Sequence, residues 1–221
     1  MGKLKSAQWP RSLAHPVGCV RSLCQGAVLR QSCYRWRNRI GTPTDHRRGP
    51  QTGRLILRAF ETDDAEAFYQ LNSNPEVTRY TGELPCRSVE AARAAIEAYP
   101  DFERHGFGRW ATVLRSTGET IGMTGLKVLQ ELGGEVDLGY RFLPEYWGRG
   151  LATEASRASL QYGFDELSLQ RIIGLVMPAN AASIRVLTKV GMRYEEAVLY
   201  AGEPADQYAI SRASFRLLDP P

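Results

Sequence analysis

Gly148-Arg149-Gly150 stands where one apolar run ends and another begins. Pro144 stops the first run as a strand, because proline brings no N–H to a sheet ladder. Glycine lets the chain turn sharply and lets backbone amides come close to a ligand. With a helix beginning at once, from Gly150, its first amides have no carbonyl partner behind them, so the turn suits an anion such as a pyrophosphate. Arg149 adds a charge-assisted contact worth about 1.5–3 kcal/mol when partly desolvated. The spacing is neither GxGxxG nor GxxxxGK followed by Ser or Thr, which argues against dinucleotide and nucleoside-triphosphate sites. Taken alone, such a turn is more often ordinary chain-reversal chemistry.

Other residues able to do chemistry flank it. In NAASIRVLTKVGM, Asn180 and Ser183 are three apart and share a helix face, while Ile184, Leu187 and Val190 mark the apolar one. Asn180 also suits a plain helix N-cap, and Ser183 a small residue packed near a helix start. Asp137 alternates with Val136 and Leu138, which makes it either a solvated strand acid or a proton acceptor; Glu135 is a weaker rival. Tyr140 is in phase with the apolar set and reads as core, and His105, before Gly-Phe-Gly, as a loop residue.

The elements that must position these groups are legible in outline. Leu55–Ala59 reads as a strand, and Thr62 as the cap of a helix with Asp63 and Asp64 in its first turn and Phe68 and Leu71 inward. A second helix follows Ser88 and runs to about Phe102 despite Pro100. Strands Arg109–Arg115 and Thr120–Val128 flank the turn 116–119, and Glu135–Leu143 follows Gly133-Gly134. A helix from Gly150 to about Leu167, the doubly apolar strand Arg171–Met177, the helix Asn180–Val190 with Gly191 as its left-handed cap, and strands Tyr194–Tyr200 and Gln207–Leu217 complete the order βαα-βββ-αβα-ββ. The expected fold is a mixed α/β sheet of about seven strands with helices on both faces.

Charge is unevenly spread. Ten of the 28 Lys and Arg but one of the 24 acids fall in residues 1–50, leaving +9 there and −5 over residues 51–221. The body therefore suits cationic amines and carries no nucleic-acid footprint. Residues 1–50 read as a basic, disordered extension ahead of a domain spanning 51–221. Three readings of it stay open: an Arg- and Ser-rich transit peptide, an arm for nucleic acid, ribosome or membrane surface, or a non-functional extension. Zinc ligation by Cys19, Cys24, Cys33 and His46 is disfavoured for want of a close CxxC pair. Cys86 alone in the body points to a reducing, cytoplasmic setting, and no apolar run approaches the roughly 18 residues of a membrane span.

The run LGYRFLPEYWGRGLATEA, followed by NAASIRVLTKVGM, resembles the GNAT acetyltransferase superfamily, and within it the ribosomal-protein N-terminal acetyltransferases. RLILRAFETDDAEAFYQL is similar to the same branch, and Trp147 departs from the Arg or Gln of the general motif. The resemblance spans about Arg54 to Leu217. It implies a sheet splayed between Glu135–Leu143 and Arg171–Met177, with acetyl-CoA as cosubstrate and no metal. Pantetheine would pair with Phe142 and Leu143 backbone, pyrophosphate would meet the amides of Gly148 to Ala152 and Thr153 with Trp147 in the same cofactor site, and Asn180 would hold the pantetheine arm. Ser183 would protonate the leaving sulfur, and Asp137 would take the amine proton through water. The acceptor is an amine, in a pocket built from Tyr80–Pro85, Arg104–Gly108 and Gln130–Gly134, and a homodimer is compatible with the family. The rival reading is a non-catalytic acyl-CoA-binding or regulatory domain.

Overall fold

Strand alternation and tight turns assemble one eight-stranded sheet in the computed structural model, which describes residues 46–218. The readings made for residues 1–45, including Cys19, Cys24 and Cys33, lie outside the described residues. The strands are β1 (Arg48–Gln51), β2 (Leu55–Arg58), β3 (Arg109–Leu114), β4 (Thr120–Leu129), β5 (Glu135–Phe142), β6 (Arg171–Val176), β7 (Arg193–Tyr200) and β8 (Glu203–Ser211), in the spatial order β1-β2-β3-β4-β5-β6-β8-β7. Every neighbouring pair is antiparallel except β5 and β6, which are parallel and share a single register pair, Asp137 with Ile173. This is the mixed, splayed sheet expected, with one strand more.

The extra strand is β1, and the expected domain boundary at residue 50 falls inside it. RGPQ carries no alternating apolar pattern, so nothing local announces a strand. It forms because Trp110, fully buried, lies flat against it. A Cβ on Gly49 would come within 2.7 Å of the indole, and the indole Nε1 donates to His46 C=O at 2.9 Å.

The helices lie on both faces. Helix α1 (Ala65–Ser73) and the short α2 (Pro75–Thr78) bury Leu71 and Val77 against Leu143, with Met123 alongside. Helix α3 (Val89–Glu97), capped by Ser88, packs on α1. It stops five residues short of expectation because Pro100 fits only a helix start, and there it opens the separate α4 (Asp101–His105). On the other face α5 (Leu151–Asp165) buries Leu151, Ala155, Leu160 and Phe164 in a core shared with Leu55, Leu57, Trp110, Leu126 and Leu138. Each such large side chain contributes about 1.5–3 kcal/mol. Helix α6 (Ala181–Lys189) adds Leu187, and Gly191 (φ +88°) ends it as predicted. The last expected strand stops at Ser211, whose hydroxyl accepts the Ser214 N–H at 3.1 Å and so starts α7 (Arg212–Arg216) instead.

One polar knot ties the entry strand to the sheet and to α1. Asp64, 8% exposed, accepts Arg58 Nη1 (2.6 Å) and Nη2 (3.0 Å), Thr120 Oγ1 (2.7 Å) and the Glu61 N–H (2.8 Å). Glu61, rather than Thr62, therefore caps the single 3-10 turn Thr62–Asp64 that leads into α1, closing a capping box with Asp64. Burial by itself would raise the Asp64 carboxyl, but the Arg58, Glu61 and Thr120 bonds outweigh it and hold the group below the usual carboxylate range. A depressed folded pKa stabilises above the unfolded value, about 3.9, and that stability is lost as pH falls through the folded value. Asp64→Asn is expected to cost about 2–3 kcal/mol at pH 7, with the difference from wild type shrinking below pH 4; urea unfolding at both pH values measures it.

Candidate active site

The pairing of β5 with β4 decides which of its backbone groups look into the splay. Leu143 N–H donates to Ile121 C=O at 3.0 Å, in step with the Gly122–Phe142 register. Antiparallel alternation then turns Asp137, Gly139 and Arg141 toward β4 and leaves Leu138, Tyr140 and Phe142 facing β6. A regular parallel ladder continuing from Asp137–Ile173 would send the Leu175 N–H to Leu138 C=O. It goes instead to Asp137 Oδ1, at 3.0 Å. Past this point the strands diverge, with Leu138 C=O and the Tyr140 and Phe142 amides facing the gap. Phe142 C=O accepts Trp147 Nε1 at 2.7 Å. Tyr140 and Phe142, rather than Phe142 and Leu143, thus offer amides to a ligand here, because Leu143 is committed to β4.

At the end of β5 the turn Pro144–Tyr146 leads into the glycine loop. Gly148 (φ +74°) and Gly150 (φ +76°) are both left-handed, which a side chain would strain. A Cβ on Gly148 would meet nothing within 4 Å, and one on Gly150 only Arg54 Nη2 at 3.7 Å, so the space above the loop is open. Glu154 N–H makes the early helical bond to Gly150 C=O (3.1 Å), with the Leu151, Ala152 and Thr153 amides ahead of it. Arg54 fixes the loop from behind: Nη1 donates to Arg149 C=O (3.0 Å) and Nε to Glu154 Oε2 (2.6 Å), while Thr52 Oγ1 donates to Glu154 Oε1 (2.5 Å). Burial would raise the Glu154 carboxyl, but the Thr52 and Arg54 bonds bring it below its ordinary value. Since the peptide is trans, holding Arg149 C=O toward Arg54 aims the Gly150 N–H the opposite way. The Arg149 guanidinium rests over the Tyr146 ring, 5.3 Å from its centroid, and Trp147 is half exposed.

Helix α6 forms the other wall. Asn180 Oδ1 accepts the Ser183 N–H at 3.1 Å, so Asn180 is the N-cap and its Nδ2 stays available to the cleft. Tyr140 Oη donates to Ser183 C=O at 3.0 Å, and burial raises the phenol far above its ordinary pKa, keeping it a neutral donor. The Ser183 side chain lines the cleft, and its hydroxyl has no protein partner among the described residues.

The whole cleft encloses about 1090 Å³, at the upper end of a small-ligand pocket and roomy enough for two ligands together. Its second half is lined by Tyr80, Glu83, Lys127, Tyr200 and Glu203. Of the three loops expected there, Tyr80–Pro85 contributes, whereas Arg104–Gly108 and Gln130–Gly134 do not line it. His105 sits at the end of α4, its ring tilted against Phe107. The place of those loops is taken by the β7–β8 hairpin, whose pattern gave no hint of reaching the site. Asp137, buried as it is, pairs with Arg109 (Oδ2–Nη2 2.5 Å), and Arg141 joins Asn72 Oδ1 (2.5 Å) to Glu83 Oε2 (2.8 Å). Burial raises the Tyr200 phenol, reinforced by the carboxylates of Glu131 and Asp137. His46, a ligand in the zinc reading, is bonded through Nδ1 to Tyr162 Oη at 2.5 Å.

A sheet parted at one register pair, with an open glycine loop at a helix start beside the parting, has known counterparts. The family model described as an acetyltransferase (GNAT) domain matches residues 54–193. The chain belongs to the GNAT acetyltransferases. A Bacillus subtilis (strain 168) protein described as an uncharacterized N-acetyltransferase is 39% identical over 147 residues, covering 66% of this chain and 82% of that one. The crystal structure of a GNAT-family acetyltransferase from Bacillus anthracis superposes with a TM-score of 0.63 at 30% identity, over 74% of this chain and 98% of the other. Spermidine N-acetyltransferase from Vibrio cholerae, crystallised with CoA and spermine, shares the fold at a TM-score of 0.61 and 20% identity, covering 74% and 99% of the two chains.

Among the described residues of this GNAT acetyltransferase no cluster of three or more His, Cys, Asp or Glu is placed to hold a metal, and no helix is long and apolar enough to cross a membrane. Arg54, Arg109, Arg141 and Tyr200 were not singled out from sequence. Their roles depend on partners 28 to 100 residues away, which only the assembled fold brings beside them. Gly150→Val is expected to lower the melting temperature by about 2–8 °C, from roughly 1–2 kcal/mol of left-handed strain at 2–4 °C per kcal/mol; a thermal melt without ligand isolates this from any effect on binding.

Proposed function

We propose that the enzyme transfers an acetyl group from acetyl-CoA to a primary amine by direct attack within a ternary complex, the acceptor being a protein N-terminal α-amine or a small-molecule amine. The observation that carries this reading is the one-pair contact of β5 with β6, opening onto the Gly148–Gly150 loop. Acetyl-CoA supplies an activated thioester whose acetyl carbon accepts the amine nitrogen, leaving a thiol. The amides from Gly148 to Thr153, with Arg149, match a pyrophosphate, and the Trp147 indole braces the loop. Asn180 Nδ2 and the amides of Tyr140 and Phe142 match a pantetheine arm and a thioester carbonyl, whose polarisation is a backbone task. Ser183 Oγ donates a proton to the departing sulfur, and Asp137 takes the amine proton through a water, its oxygens retaining lone pairs beyond the bonds to Arg109 and Leu175.

The base need not be strong. An α-amine with a pKa of about 7.7–8.0 is roughly one-tenth neutral at pH 7, whereas a lysine at about 10.4 is neutral less than once in a thousand. The spermine held by the Vibrio cholerae enzyme and the net negative body of this chain both favour a cationic amine.

Two measurements test the reading. Acetyl-CoA at a hundred times its Kd is expected to stabilise the fold by about 2.7 kcal/mol, and a panel of N-terminal peptides and polyamines should release free thiol in proportion to acceptor. Cofactor binding without thiol release from any amine would leave only the binding-domain reading standing. Ser183→Ala is expected to lower kcat by about 10²-fold while the acetyl-CoA Kd stays within about threefold, as calorimetry would show.

A further inference from the structure

We propose that Arg109 is a positioning residue that reaches over Gly125 and Gly139 to hold Asp137 against the Leu175 amide, and that this pair keeps β5 and β6 apart so that acetyl-CoA can enter; the inference rests on the acetyl-CoA reading above.

Arg109, Gly125 and Gly139 are in direct register on β3, β4 and β5. The arginine belongs to a strand two places from the gap, and it crosses the intervening backbone to arrive there. A Cβ on Gly139 would lie 1.4 Å from Arg109 Nη1, 2.2 Å from Cζ and 2.5 Å from Nη2, so the guanidinium occupies the volume a side chain would need. A Cβ on Gly125 would fall 2.5 Å from Gly108 C=O and 2.9 Å from Arg109 Cα. Gly139 thus leaves the guanidinium its room, while Gly125 lets the β3 backbone and Trp110 Cε3 (3.0 Å) come close to β4. At its end Nη2 meets Asp137 Oδ2 at 2.5 Å, with the arginine and aspartate side chains only 13% and 11% exposed. Lys127 stands opposite Asp137 in the β4 register, yet it is the distant arginine that makes the ion pair.

What this arrangement does follows from the ladder. Leu175 N–H and Leu138 C=O would bond to each other in an unbroken parallel pair. Asp137 Oδ1 takes the Leu175 N–H first. A carboxylate buried without a cation would carry a large desolvation cost. The Arg109 guanidinium offsets that cost, so the carboxylate can remain inserted between the strands. With the next bond intercepted, Leu138 C=O and the Tyr140 and Phe142 amides stay free for a ligand.

The test compares Arg109→Met, Gly139→Ala and the double variant in the full chain, with acetyl-CoA Kd by calorimetry as the readout and melting temperature as the control for folding. In Gly139→Ala the three atoms nearest the new Cβ are Nη1, Cζ and Nη2 of Arg109, the far end of a flexible side chain, so the guanidinium moves rather than the strand. Each single variant is expected to raise Kd fivefold or more, and the double variant to be no more than about threefold worse than the weaker-binding single, because both changes act on one contact. A rise below fivefold in the folded Gly139→Ala protein, or losses that multiply in the double variant, overturns the inference. Should Arg109→Met not fold, Gly139→Ala decides alone. Wild-type protein that binds no acetyl-CoA would defeat the function proposed above, whereas wild-type binding with unaltered variants would defeat this inference only.

Discussion

A strand inside a sheet has to settle every N–H and C=O it carries, since an unpaired one costs about as much as a lost hydrogen bond. Strand β5 does so along eight register pairs with β4 and then meets β6 at one. The groups facing β6 beyond that pair are solvated or satisfied by a guest. Several otherwise unrelated bonds become intelligible from this constraint. Trp147 Nε1 caps the last carbonyl of β5, the Tyr140 phenol ties β5 to the first turn of α6, and Asp137 takes the amide that would have closed the ladder. Each removes a way for the gap to shut.

The two halves of the cleft use different recognition chemistry. On the α5 and α6 side the contacts on offer are backbone amides, a side-chain amide and a hydroxyl, groups whose positions are set by the elements they sit in. On the other side the lining is charged and phenolic and drawn from four separate places, the loop after α2, β4, β5 and the β7–β8 hairpin. Arg141 and Arg109 neutralise Glu83 and Asp137 respectively, so these charges are presented as pairs rather than as a bare field. Such a lining selects by geometry and desolvation more than by long-range attraction.

That asymmetry also governs how much could be read from the chain itself. The glycine loop, the Asn180 cap and the alternation of β5 are local patterns, and all three are present where local patterning puts them. Strand β1 was invisible because its stability comes from Trp110, sixty residues on. The break at Pro100 and the cap at Ser211 were each written in one residue, but a run of helix or strand formers beside it pointed the other way. Arg109 shows the limit most clearly: its partner Asp137 and the two glycines under it are related only through the registers of β3, β4 and β5. Tyr200 is brought to the cleft by a hairpin turn through Ala201 and Gly202, both in the left-handed region, and nothing in its own strand indicates the destination.

The brace behind the glycine loop joins Arg54 to Arg149 and Glu154, residues 95 to 100 positions further along. A contact of that span closes a long loop of chain before it rewards anything, and doubling such a loop adds only about 0.6 kcal/mol in equilibrium cost while weighing heavily on the rate of formation. On a ribosome the strand bearing Arg54 emerges long before the helix it must hold. The glycine turn is therefore among the later parts of the molecule to take its final shape, assembled in time by the same distant pairing that aims it in space.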